Sequence, residues 1–561
     1  MLGLLRRRWR AGVGDMRIGV NLIPLRPGHM GGAEVYFRDL LSELLAAGGH
    51  EYVLVTADYN HDTLPDDSPV CRRLLFAREA AGPRRGLRRI ARALSRVTRR
   101  LDWVRPWYRK GTAESLRDLI RQEQLDLWFC PFTNLEPRIS PVPGVITVFD
   151  LQHEYHPEFF DEDELRHRRR FYPESCVTAD HVIAISEFTR QCVIDRYGVE
   201  PARVSAIWLV PGSDFDWRGA HERAPAIREK YALPSRYVLY PANTWHHKNH
   251  LRLIEAVARY RSRYREDLTL VLTGVSKEAQ AGLERAIERH GLEGLVRTLG
   301  YVQRADLPAL YAAAACLVLP SLFEGFGIPL IEAMLVGCPI AATNGTSIPE
   351  VVGDAGVLFD PLDPSDICRA LAAVLRDPTM AAELSRRGRA RAELFSVSQM
   401  AERTLRVFEL VVREGPARGR DAGHEMITAG GVYDDQWMGG EAVFSILGRS
   451  LVSFEVQGHL PSLAPIVPQE LAVRVGRGEA QIVSLAAAGP FTFTVPLRSN
   501  GASPGAWEVS LIPDRTFRPM EYGISPDDRE LSVQLLRLRA RSEDGREIVK
   551  ALGSPSHRAS C

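Results

Sequence analysis

From Met16 to about residue 415, short apolar runs alternate with segments whose apolar positions recur every three or four residues. Met16-Arg-Ile-Gly-Val-Asn21 predicts a first strand, and Gly31-Gly32 opens an amphipathic helix through Leu45. Tyr52–Thr56, Leu127–Cys130, Val145–Phe149, His181–Ile185 and Val204–Val210 continue the strand series. A second series runs through Tyr237–Tyr240, Leu268–Leu272, Val296–Leu299, Cys316–Leu319 and Pro339–Ala342. Strands alternating with helical patterns predict parallel sheets covered by helices. Between the series, residues 211–234 form a polar stretch punctuated by Pro211, Gly212, Pro225 and Pro234, which reads as a linker. The expectation is two Rossmann-like α/β domains, 16–215 and 216–415, facing each other across a cleft. Ligands of such sheets bind beyond the carboxyl ends of the strands.

After about residue 416 the helical periodicity stops. Leu451–Val456, Leu471–Val475, Phe491–Val495, Trp507–Leu511 and Leu531–Leu535 are short alternating runs separated by turn residues. They predict an antiparallel all-β sandwich over residues 425–561. Its aromatic residues Tyr433, Trp437 and Trp507 suit either a core or a sugar-stacking surface. Residues 1–15 precede the first strand and read as a leader or a mis-assigned start. They are no signal peptide, because Arg6-Arg-Arg-Trp-Arg10 follows the apolar residues instead of preceding them.

Composition adds little. The 71 basic and 70 acidic residues nearly cancel, so global charge names no partner. None of the eight cysteines forms a CxxC pair, which suits buried thiols in a reducing compartment. No apolar run reaches the ~20 residues a membrane span needs. Local charge is more telling. Arg84 to Lys110 interleaves basic residues with an apolar stripe (Leu87, Ile90, Leu94, Val97, Leu101 and Val104), and Trp103, Trp107 and Tyr108 close it. That pattern fits a basic amphipathic helix on an anionic membrane surface, or a helix packed on the core with a solvated charged face. Nucleic acid is not expected as a partner.

The chemistry concentrates at residues 316–337. Cys316–Leu319 is a buried strand, Glu324-Gly-Phe-Gly327 a glycine-rich turn, and Ile328-Pro329 a helix start with proline suited to the first turn. Such a helix end binds anions through free N–H groups and the macrodipole. Glu324 and Glu332 flank that anion site and would repel phosphate, so they suit the acceptance of hydrogen bonds from sugar hydroxyls. Two glutamates eight residues apart are common, and spacing alone also fits an acidic preference near a helix start.

The whole string, Pro320-Ser-Leu-Phe-Glu-Gly-Phe-Gly-Ile-Pro-Leu-Ile-Glu-Ala-Met334, resembles the E-x7-E region of glycosyltransferase family 4, the retaining enzymes of GT-B fold. The resemblance covers roughly residues 16–415 and implies a glycosyltransferase that uses a nucleotide-sugar donor. It implies that Glu324 contacts the donor sugar's hydroxyls and that Gly325, Phe326 and Gly327 offer backbone amides to sugar and phosphate. Glu332 would grip the ribose. Gly31-Gly32-Ala-Glu34 resembles the family's first glycine turn at the donor phosphates. Asn243-Thr-Trp-His-His-Lys248-Asn249-His250 resembles the segment whose lysine neutralises the leaving diphosphate. Asn344 to Glu350 resembles a strand-exit loop and is a marker of the fold.

Two positions depart from the commoner pattern. Asn243 stands where many members have arginine, which leaves the diphosphate to Lys248 with His246 or His247. Phe149-Asp150 stands where many have His-Asp, and His153, in Asp150-Leu-Gln-His153, is carried as the sugar-side residue. These strings resemble a mannosyltransferase-like subgroup, which implies GDP-mannose, or else a UDP-sugar, as donor. The implied acceptor is a glycan or a lipid-linked sugar, and the implied setting is the cytoplasm with peripheral attachment to the inner face of the plasma membrane. No cofactor or metal is expected, since Asp214-Phe-Asp216 and Asp161-Glu-Asp163 sit in polar linker or loop context. An epimerase or hydrolase of GT-B fold, or a glycan-binding scaffold without catalysis, stays open on the residues alone.

Overall fold

In the computed structural model the described residues are 15–77, 116–137, 140–415, 426–432, 438–447, 451–460, 468–475, 480–497, 506–515, 534–542, 545 and 547–551. The 84–110 stretch, Tyr433, Trp437 and the leader lie outside them, as does the side chain of Trp507. By contacts the chain divides into two compact units, Met1–Phe159 with Thr178–Pro416, and Phe160–Val177 with Ala417–Cys561. The first unit therefore lacks one segment of the expected 16–215 domain.

The first unit holds both parallel sheets. One has the strand order β3-β2-β1-β4-β5-β6-β7, built from β1 Arg17–Asn21, β2 Glu51–Ala57, β3 Cys71–Ala77, β4 Leu127–Cys130, β5 Gly144–Val148, β6 His181–Ala184 and β7 Val204–Ala206. The other has the order β10-β9-β8-β11-β12-β13, from β8 Val238–Pro241, β9 Leu270–Thr273, β10 Val296–Thr298, β11 Cys316–Leu319, β12 Ile340–Thr343 and β13 Gly356–Phe359. Central strands such as β4, β5 and β11 are buried at every residue, as sheets covered on both faces require. β3 and β13 were not expected. β3 opens Cys-Arg-Arg and only its second half is apolar, so its alternation is weak; β13 is half-exposed along its first three residues.

The expected linker is shorter than 211–234, because Ala220–Lys230 is a helix with Pro225 inside it. Ala220, Ala224 and Ile227 recur at helical spacing and are buried, and this burial outweighs the lost proline N–H. The last helix of this unit, Val397–Glu414, leaves the second domain and returns to the first. Phe408 meets Phe129 of β4 edge-on at 5.1 Å, and Ser398 donates to Glu43 of the helix Gly32–Ala47. Residues 397–414 thus belong by packing to the first sheet, although they lie within the expected 216–415 domain. Among the described residues no helix is long and apolar enough to cross a membrane.

The second unit contains two antiparallel sheets. Their orders are β14-β15-β20-β17-β18 and β19-β16-β21-β22, with β14 Met426–Val432, β15 Met438–Leu447, β16 Leu451–Leu460, β17 Gln469–Val475, β18 Gln481–Leu485, β19 Gly489–Pro496, β20 Ala506–Pro513, β21 Gln534–Ser542 and β22 Glu547–Ala551. Inward positions such as Phe444, Phe454, Val456, Leu471 and Leu538 form a core of their own. The helix Glu162–Thr178 falls almost wholly in this unit.

Phe408 and Phe129 are both essentially fully buried. Phe408→Ala is expected to destabilise the first unit by about 3–5 kcal/mol, the usual range for emptying a buried aromatic site. Urea unfolding checks this, and a loss below about 1 kcal/mol contradicts the packing.

Candidate functional site

The strand exits of the second sheet converge on one loop. After β11 the chain turns through Pro320–Gly327 and enters the helix Ile328–Val336, with Gly327 at φ 106° and proline in the first turn. Several neighbours hold this loop. Asn249, itself at φ 59°, donates from Nδ2 to the carbonyls of Pro320 (2.9 Å) and Pro361 (2.8 Å). Leu322 N donates to His247 O at 2.7 Å, and Tyr240 Oη donates to Lys248 O at 2.7 Å. Ser347 Oγ lies 3.0 Å from Glu324 O and 3.1 Å from Phe326 O. The 344–350 loop therefore supports the site as well as marking the fold.

The result of this convergence is an ion pair. Lys248 Nζ donates to Glu324 Oε1 at 2.6 Å, and the two side chains are 20% and 14% exposed. Burial raises the Glu324 pKa, but the charge of Lys248 and the hydrogen bonds from Lys248 and Ser321 outweigh it and leave the carboxyl below its ordinary range. Burial, and then the charge of Lys248, lower the His247 pKa to about 3. His247 is thus neutral near pH 7 and adds no charge at this place; the cation beside Glu324 is Lys248. Glycine at 325 is a matter of space, since a Cβ there would lie 2.1 Å from Phe149 O at the end of β5. Phe326 points its side chain into the core, edge-on to Phe395 at 6.0 Å, so only its backbone is offered to the loop.

Glu332 lies one turn into the helix and is 3% exposed. Tyr311 Oη donates to its Oε2 at 2.7 Å. Arg304 Nη1 lies 3.0 Å from Oε1, within ion-pair distance but off the hydrogen-bond direction, and Oε1 accepts no hydrogen bond. Burial dominates and raises the Glu332 pKa, even though Arg304 and Tyr311 pull it down. Arg304 also pairs through Nε with Asp214 at 3.0 Å. The first acid of Asp214-Phe-Asp216 is therefore occupied by a cation, and Phe215 between the two acids is buried. Asp161 Oδ1 accepts from Glu164 N at 2.9 Å, the work of a helix cap.

Four other expected residues each have surroundings of their own. His153 has no exposed side chain: it lies on the short helix Gln152–Tyr155, with Tyr197 Oη 3.1 Å from its Nε2 and Glu154 Oε1 at 3.4 Å. Its ring is enclosed against the helix Glu187–Tyr197. Asn243 uses its Oδ1 to accept from Val275 N at 2.8 Å, so it fastens the β8 and β9 exits to each other. Gly31 and Gly32 open the helix Gly32–Ala47, and a Cβ at either would meet nothing within 4 Å. Arg304, Tyr311 and Asn249 were missed. Asn249 stood beside Lys248 in a recognised string, whereas nothing local marked Arg304 or Tyr311.

Acid sensitivity follows from the buried groups. His181 and His250 have pKa values lowered to about 4, mainly by burial, and His247 to about 3. These rings stay neutral in the fold but protonate near pH 6.5 once unfolded, so stability falls as pH drops from 6.5 towards 4. The slope is up to about 1.4 kcal/mol per pH unit for each ring. The lowered Glu324 carboxyl adds stability above its ordinary range that is lost below it, whereas the raised Glu332 works in the opposite sense. Urea midpoints at pH 7.5 and pH 5 should differ, and His250→Gln should flatten the difference. Equal midpoints for the native protein contradict the burial.

Residues 224–391 match the family profile described as glycosyl transferases group 1, and residues 30–208 match glycosyltransferase family 4. The chain is 33% identical over 268 residues to the O-antigen chain mannosyltransferase B of Escherichia coli, covering 48% of this chain and 70% of that protein. It is 33% identical over 258 residues to the Escherichia coli serotype-specific mannosyltransferase WbdA, covering 45% of this chain but 31% of that protein. Among solved structures, sucrose-phosphate synthase of Thermosynechococcus elongatus superposes with TM-score 0.53 at 22% identity, over 71% of this chain and 100% of that one. Anabaena Alr3699/HepE in complex with UDP and glucose gives TM-score 0.51 at 20% identity over the same shares. Both likenesses concern the fold.

Proposed function

The chain belongs to glycosyltransferase family 4 and is a hexosyltransferase of GT-B fold, and on that premise we propose that it moves mannose from GDP-mannose, with retention, onto a glycan or lipid-linked acceptor in surface polysaccharide or glycolipid synthesis. The observation that carries the donor reading is the Lys248–Glu324 pair at the mouth of the Gly325–Gly327 turn. One cation and one sugar-binding carboxylate share a place next to a helix N-terminus. The mannose assignment rests on the named activity of the Escherichia coli relatives. The UDP in the Anabaena structure keeps a UDP-sugar as the alternative donor.

In this reading the free enzyme holds Lys248 and Glu324 on each other. Donor entry exchanges that contact for two others: Lys248 with the diphosphate, and Glu324 with hydroxyls of the sugar. Glu332, buried and paired through Oε1 with Arg304 at 3.0 Å, takes a ribose hydroxyl on a remaining lone pair. The bond between the anomeric carbon and the diphosphate oxygen breaks, and its electron pair leaves with the phosphate. The acceptor oxygen bonds to the same face of the sugar, and its proton passes to a phosphate oxygen. The chain's part is to position the groups and stabilise the leaving charge. Residues 31 and 32 have the room to admit a phosphate, since nothing lies in front of either α-carbon. Attachment to an anionic membrane through 84–110 completes the proposal, and flotation with phosphatidylglycerol vesicles tests it.

Lys248→Ala is expected to lower kcat about 100- to 1,000-fold, the size of effect seen when one charge-stabilising donor is removed. Glu332→Ala is expected to raise the donor KM by roughly thirtyfold or more, as for truncation of a buried hydrogen-bonded charge. Transfer assays across GDP-, UDP-, dTDP- and ADP-sugars should show turnover with GDP-mannose. Wild-type turnover in Lys248→Ala, or turnover confined to another base, overturns the respective assignment.

A further inference from the structure

Glu350 belongs to the second parallel-sheet domain, on the helix Ile348–Val352 after β12. Arg391 holds that helix in place, donating from Nη2 to Glu350 O and from Nε to Val351 O, each at 2.6 Å. The Glu350 carboxylate, however, binds groups of the first domain. Its Oε1 accepts from Glu187 N at 2.8 Å and from Trp208 Nε1 at 2.5 Å, and its Oε2 accepts from Phe188 N at 3.1 Å. Glu187 and Phe188 are the first residues of the helix Glu187–Tyr197. The first amides of any helix have no partner within it. Here one domain's carboxylate satisfies two of them in the other domain, where the helix dipole also favours negative charge. The helix's own cap, Ser186, serves Thr189 N at 3.0 Å.

The same helix start touches the sugar-side loop. Ser186 Oγ lies 2.8 Å and Thr189 Oγ1 3.3 Å from the carbonyl oxygen of Gly325, and both can donate to it. Gly325 in turn passes Phe149 O with no room for a side chain. The loop that bears Glu324 is thus gripped by the first domain, and the grip is only as well placed as the start of the helix. We infer that Glu350 is a positioning residue of the transferase, clamping the helix Glu187–Tyr197 to the donor-side domain so that Ser186 and Thr189 register the Gly325 carbonyl. A carboxylate suits the task because it only accepts, and three donors converge on it. The kinetic consequence rests on the proposed role of the Glu324 loop; the clamp itself does not.

Two variants test it, with amide exchange measured in the absence of any substrate and transfer kinetics measured separately. Glu350→Gln turns one acceptor oxygen into a donor and should speed exchange of the Glu187 and Phe188 amides at least about tenfold, as loss of charge-assisted hydrogen bonds predicts. It should lower kcat about tenfold while the donor KM stays within about threefold, the pattern of an interaction made in the transition state and absent from donor binding. Trp208→Phe removes one of the three donors and should lower kcat with the same KM pattern but to a smaller extent. Unchanged exchange in Glu350→Gln overturns the clamp, and so does a rise in KM at constant kcat. If Glu350→Gln fails to fold, a Trp208→Phe enzyme with wild-type kcat overturns it. If the wild type transfers no sugar from any donor, the proposed function fails, and the exchange result still decides the clamp.

Discussion

A lysine and a glutamate from two different strand exits meet at 2.6 Å, and the site is arranged around keeping them there. Left alone, burial would push the Glu324 carboxyl towards the neutral acid. The positive charge of Lys248 reverses this, and neutral His247 beside it does not compete for the carboxylate. Charges this close stabilise one another only where their backbones are fixed, because freeing either would leave a half-buried charge unpaired. That explains why so much of the surrounding hydrogen bonding is spent on backbone carbonyls. Asn249 ties the lysine segment to Pro320, Tyr240 ties Lys248, and Ser347 ties Glu324 and Phe326.

The second glutamate of the motif has the opposite fate. Glu332 is more deeply buried than Glu324 and has Arg304 off the hydrogen-bond axis and a single donor in Tyr311, so burial wins and its carboxyl lies above the ordinary range. One carboxylate is held charged by a partner, and the other is kept short of hydrogen bonds. This difference separates the two carboxylates of the motif: Glu324 is held by a cation, and Glu332 has one hydrogen-bond donor in Tyr311 beside its ion pair with Arg304. The Arg304–Asp214 contact links Glu332 to the linker between the domains.

The parallel strands with strong apolar runs were legible in the sequence, because complete burial leaves little choice of residue; β4 and β11 begin and end where their composition says. β3 was not, since its two arginines hide its alternation. The helix Ala220–Lys230 was not, since Pro225 argues locally for a linker while Ala224 and Ile227 are fixed by burial. Within the site, Lys248, Glu324 and Glu332 could be named because two contiguous strings, 243–250 and 320–334, carried them. Arg304, Tyr311 and the Glu350 clamp could not, because their meaning lies in contacts across long stretches of chain. His153 shows a different limit: its side chain is fully buried on a short helix, and sequence position says nothing about which way a ring faces.

On the proposed mechanism Lys248 is the cation for the leaving diphosphate. Calorimetry with GDP and GMP, on the wild type and on Lys248→Met, tests it without any acceptor. The wild type should bind GDP more tightly than GMP, and Lys248→Met should lose about tenfold or more of that preference while GMP affinity changes little. An undiminished preference for GDP in Lys248→Met would contradict it.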